Sequence, residues 1–138
     1  MSTRGGIGLT LVLSIGVVTA AQVPSRVIAA NEIVIEGTKL NPPLLKTTVG
    51  ERVTFVNRSG RTVHVEFIGN SGRHRVFQVP NEIWAIFHRP GLHPYEVHFR
   101  GPKAATLRGT VEAAEDPSGR GDPHTCDSLT IMGECIER

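Results

Sequence analysis

Gly91–Val111 reads G-L-H-P-Y-E-V-H-F-R-G-P-K-A-A-T-L-R-G-T-V. Tyr95–Phe99 is a strand, Leu107–Ala113 is a second, and a loop joins them. Arg89-Pro90-Gly91 is turn chemistry that leads the chain into the first strand. Successive side chains in a strand point to opposite faces, so His93, Tyr95 and Val97 share one face while Glu96 and His98 take the other. The stretch has no cysteine, and none occurs anywhere from Gln22 to Thr125.

Working outward, the same alternation recurs. Asn31–Gly37 is short and β-branched, a first strand. Leu40–Pro43 carries two successive prolines, which cannot continue a central strand and mark a kink or an edge. Leu44–Val49 and Glu51–Asn57 follow, broken at Gly50, and Val53 and Phe55 of the second repeat with a period of two. After the turn residues Arg58–Arg61, Thr62–Phe67 places Val63, Val65 and Phe67 on one face, His64 and Glu66 on the other. Arg75–Val79 and Glu82–His88 are further strands, and the apolar Ile83–Phe87 is expected to lie between layers. No segment keeps a helical period. Seven or eight short strands at this spacing predict an all-β sandwich or barrel.

The order of marks resembles that of a cupredoxin, the small Greek-key β-sandwich of the plastocyanin and amicyanin type that usually holds one blue copper. Its closing hairpin reads G-x-Y-x-Y-x-C-x-x-H, a short loop, then M-x-G-x-V. Gly91, Tyr95, Gly109 and Val111 fall in place here. P-x-x-L-x-x-x-x-G-E-x-V-x-F-x-N from Pro42 to Asn57 and F-x-x-P-G-x-x-x-Y from Phe87 to Tyr95 extend the resemblance to about residues 32–114. The resemblance also implies a ligand set, and this chain departs from it throughout. Val63 stands at the upstream histidine, Val97 at the cysteine, Arg100 at the second histidine and Leu107 at the axial methionine. His64 is one residue off, and on an alternating strand that points it away from the interior. A blue centre needs a thiolate and two imidazoles, so the expected cofactor inside the sandwich is none.

The first residues read as an export signal. Met1–Arg4 supplies a positive charge, Ile7–Val18 is an uncharged, mostly apolar run of 12 residues, and Thr19-Ala20-Ala21 offers small residues for cleavage. A spanning helix needs about 20 apolar residues, so no stable membrane insertion is expected after cleavage. The expected organisation is a signal peptide over 1–21, an extension over 22–31, the sandwich over 32–114, and a linker and tail over 115–138. The expected location is periplasmic or secreted. The formal charge of +2 falls to about +1 once Arg4 leaves, 14 basic against 13 acidic side chains, which argues against a nucleic-acid partner.

Six histidines leave room for other metal chemistry, with copper or zinc at a non-blue site. His88 and His93 flank the Pro90-Gly91 turn and, joined by His64 or His74, form the more plausible imidazole group; as exposed or interfacial side chains they need no metal. In the tail, His124, Cys126, Met132 and Cys135 read either as a soft cuprous cluster or as one disulfide beside ordinary residues. An oxidising compartment favours the Cys126–Cys135 bridge, and Ser128–Cys135 then reads as a short helix or turn capping the sandwich.

Arg120-Gly121-Asp122 matches an adhesion tripeptide, but three residues match by chance. No serine, cysteine or carboxylate set supports catalysis, and Glu96 with His98 reads as a solvated pair. The chain is therefore expected to be a non-catalytic binding or accessory subunit whose partner is another envelope protein, with Trp84 or Tyr95 as contact aromatics. Its rivals are a metal carrier and a secreted adhesion sandwich.

Overall fold

Pro42 and Pro43 stand where the chain passes from one sheet to the other. The computed structural model describes residues 16, 30–68, 72, 74–118, 126 and 128–136. Its strands are β1 (Glu32–Ile35), β2 (Leu40–Asn41), β3 (Leu44–Thr48), β4 (Arg52–Asn57), β5 (Val63–Ile68), β6 (His74–Gln78), β7 (Glu82–Phe87), β8 (Gly91–Phe99), β9 (Ala105–Ala114), β10 (Leu129–Ile131) and β11 (Glu134–Cys135). One sheet has the order β11-β10-β7-β4-β1-β2, the other β3-β9-β8-β5-β6. β1 lies parallel to β4 and β3 parallel to β9, while the remaining pairs are antiparallel. The described residues form an all-β sandwich of two sheets. The predicted signal peptide over 1–21, the Arg120–Asp122 tripeptide and His124 lie outside the described residues, Gly16 apart.

Eleven strands are formed among the described residues, against the seven or eight predicted from turn spacing. β2, β10 and β11 have two or three residues each, too few to show a period. The prolines do what proline chemistry requires. β2 ends before them as a two-residue edge strand, and β3 begins after them in the other sheet.

Alternation explains the core. β5 buries Val63, Val65 and Phe67, and β8 buries Tyr95, Val97 and Phe99 on the matching face. β1, β4 and β7 answer from the other sheet with Ile33, Ile35, Val53, Phe55, Ile83, Ala85 and Phe87. Phe55 bridges the layers edge-to-face, 5.4 Å from Phe67 and 5.1 Å from Tyr95 between ring centroids. β7 does not lie between layers as expected. Ala85 points inward with Ile83 and Phe87, whereas Trp84 and Ile86 face outward, half-buried, with the Arg52 guanidinium 4.1 Å above the Trp84 ring.

Tyr95 stands directly across from Gly109 in the β8–β9 register. A Cβ on Gly109 would run into the Tyr95 ring and hydroxyl, so glycine is required here for space. The Tyr95 hydroxyl is buried without a hydrogen-bond partner, and burial pushes its pKa far above the ordinary 10.

The tail is corrected most. Ser128–Cys135 forms neither a helix nor a cap. Leu129–Ile131 pairs with β7, and β10 and β11 join through Met132-Gly133, both with positive φ, a two-residue hairpin turn. Leu129, Ile131 and Ile136 enter the core, so the tail completes the six-stranded sheet.

Candidate functional site

β5 and β8 carry two groups of candidate residues, one on each face. On the inward face lie the positions where the family resemblance implies blue-copper ligands. Val63 and Val97 are fully buried, and Leu107 is half-buried against the core directly opposite Val97. Arg100 is exposed and donates its backbone N–H to Thr62 O at 3.1 Å. The Arg61 guanidinium closes this end, 5.0 Å above the Phe99 ring and donating to the carbonyls of Arg100 and Lys103. None of the four side chains offers the thiolate, imidazole or thioether that such a centre requires, so these residues do not fit a blue copper. Burying each valine instead contributes about 1.5–3 kcal/mol to the fold.

The sequence-selected metal candidates are placed apart. The His88 ring, just beyond β7, contacts Thr130 Oγ1 through Nε2 at 2.7 Å. His93 faces the interlayer, its ring 4.8 Å from Phe87 and its Nε2–H donating to Arg89 O at 2.8 Å. The two flank one turn, but each is engaged with a different neighbour. Cys126 and Cys135 form a disulfide, S–S 2.12 Å, so neither offers a thiolate to a cuprous cluster. Met132 is exposed, and its sulfur accepts the Trp84 backbone N–H at 3.3 Å. Tyr95, offered as a contact aromatic, is 1% exposed and belongs to the core.

His64 does point out of the sandwich, as a one-residue slip requires, and its Nδ1 is buried without a partner. It stands directly opposite His98, and in the next row outward Glu66 stands opposite Glu96. Glu66 Oε2 lies 2.7 Å from His98 Nε2, and Glu66 Oε1 lies 2.6 Å from His74 Nδ1. Glu96 Oε2 lies 3.5 Å from the same His98 Nε2, while its Oε1 accepts Arg108 Nε–H at 3.0 Å. His98 Nδ1 is 3.1 Å from Thr106 Oγ1. The hydrogen bonds from His98 and then His74 hold the Glu66 carboxyl below its ordinary range.

Sequence reasoning treated Glu96 and His98 as a solvated pair and missed this cluster. Alternation alone places His64 and Glu66 on one outward phase and Glu96 and His98 on another. What joins them is the β5–β8 register, which no local pattern encodes. Among the described residues, Glu66, Glu96 and His98 are the one set of three or more histidine, cysteine or carboxylate groups able to share an ion, all three ligand atoms within 4.8 Å of one another.

No family model matches the chain, and no curated protein matches it. Among solved structures it is similar to an oxidised amicyanin variant, 22% identical over 60% of this chain and 80% of that one, TM-score 0.49. A reduced, Cu(I) amicyanin variant is 23% identical over 65% and 87%, TM-score 0.47. A purple cupredoxin from Nitrosopumilus maritimus is 18% identical over 60% and 98%, TM-score 0.46.

Proposed function

We propose that this chain is an exported cupredoxin-like protein that works by binding and not by electron transfer, as a non-catalytic accessory subunit among respiratory or copper-handling proteins of the envelope. One observation carries the reading. The end of the sandwich formed by Val63, Val97 and Leu107 is packed hydrocarbon, closed by Arg61 over Phe99. A blue centre there would need a thiolate and imidazoles that these side chains do not supply. The disulfide supports an oxidising compartment, where such bridges persist.

The test joins spectroscopy to capture. The purified protein, incubated with cupric ion, is expected to show no intense thiolate-to-copper absorption. Immobilised on beads against an envelope extract, it is expected to retain a redox or copper-handling protein. A blue or purple copper band would overturn the reading, as would retention of nothing but cell-surface adhesion receptors.

A further inference from the structure

We propose that Glu66, Glu96 and His98 form a site for one divalent transition-metal ion, of the zinc or cupric class, on the outer face of the five-stranded sheet. The inference stands apart from the accessory reading, since an ion held by one imidazole and two carboxylates has no thiolate and is not a blue-copper centre.

The donor set is the first argument. One imidazole nitrogen and two carboxylate oxygens are ligands that zinc and cupric ions take, with a fourth position left open to solvent. Ligand atoms about 2.0–2.2 Å from a tetrahedral zinc stand roughly 3.3–3.6 Å from one another. The Glu96–His98 spacing of 3.5 Å already has that length. The Glu66–His98 spacing of 2.7 Å needs to open by roughly 0.6–0.9 Å to admit the ion.

Orientation is the second argument. Each of the three ligating groups is held through its other polar atom: Glu66 Oε1 by His74, Glu96 Oε1 by Arg108 and His98 Nδ1 by Thr106. When His98 donates Nδ1–H to Thr106 Oγ1, the lone pair of Nε2 faces the two carboxylates. Metal-binding histidines are positioned in this way by a partner on the second nitrogen. Electrostatics is the third. Glu66 and Glu96 are direct cross-strand partners, and like charges in that relation repel. A dication between them converts the repulsion into attraction. Glu66, His98 and Thr106 border an open recess with Val76 and Ala105, which gives an ion and an exogenous ligand a way in.

The test is calorimetric titration of the full, tag-free chain with zinc, then cupric ion, at neutral pH. One ion per chain is expected. His98→Ala and Glu66→Gln should each remove it, and Thr106→Val should weaken it about 10–100-fold without moving the melting temperature of the metal-free protein. Glu96→Gln provides a second probe should His98→Ala unfold. A His88→Ala/His93→Ala variant should bind as the parent does. X-ray absorption of the loaded protein should give nitrogen and oxygen neighbours only. The proposal is overturned by no binding, by binding that survives both Glu66→Gln and Glu96→Gln, or by binding lost only when His88 and His93 are replaced.

Discussion

Glu66 and Phe67 are consecutive on β5 and meet different worlds. Phe67 is 1% exposed among Phe55, Phe77 and Tyr95, on the face that packs against the other sheet. Glu66 points the other way, into a lattice of imidazoles, carboxylates and a guanidinium. Across the pleat β8 repeats the contrast, with Val97 fully buried and Glu96 and His98 turned out. The inner face is packed hydrocarbon, while the outer face gathers polar groups that packing does not need. One hydrogen-bonded register therefore serves an apolar face and a polar one at once.

Substitutions on the two faces should separate by size. Phe67→Ala, at the centre of the aromatic contacts, should cost about 3–5 kcal/mol, read as a lowered urea midpoint at constant slope. A loss under about 1 kcal/mol would break the comparison, because the inner face would then not be the stabilising one. Gly109→Ala pushes a methyl into the Tyr95 ring and should cost about 1–3 kcal/mol by the same measurement.

Tyr95 sharpens the picture. Its hydroxyl is buried and unpaired, so Tyr95→Phe should be neutral or stabilise by about 1 kcal/mol. Because burial raises the phenol pKa above its ordinary 10, the folded state keeps the proton that the unfolded chain gives up. Stability from this term is whole below pH 10 and falls as pH rises beyond it. Tyr95 is the chain's one tyrosine, so tyrosinate absorbance should appear together with loss of β-sheet signal in an alkaline titration. Tyrosinate forming while the sheet signal holds would show that the ring reaches water. The smallest effect should be Glu66→Gln, within about 1 kcal/mol for a solvent-accessible pair. The carboxyl sits below its ordinary 4.5, so its contribution holds above that pH and fades as acid protonates it, closing the gap between parent and variant. Thermal melts at neutral and acid pH read both.

Much of the inner face was legible in the sequence, and little of the outer site was. Val63, Val65 and Phe67 announce themselves by their two-residue period, and the missing ligands at Val97 and Leu107 can be read by order along the chain. Burial is a property of each strand's own pattern. The Glu66–Glu96 and His64–His98 pairings join residues 30 and 34 positions apart on two strands, fixed by register. The hairpin β10–β11 escaped for a different reason. Its strands are too short for periodicity, and only pairing with β7 makes β10 a strand at all. The Cys126–Cys135 bridge, by contrast, followed from compartment and spacing.

That hairpin has a further consequence for association. With β10 laid against β7, the six-stranded sheet ends in β11 on one side and β2 on the other, each two residues long. Short rims give another chain's backbone little ladder to extend, which suppresses strand addition and edge-to-edge aggregation. A partner approaching this sheet is left to recognise side chains on its broad surface, around Arg52 stacked on Trp84. Without residues 126–136, Ala85–Phe87 of β7 would become an open rim, and self-association would be the expected fate.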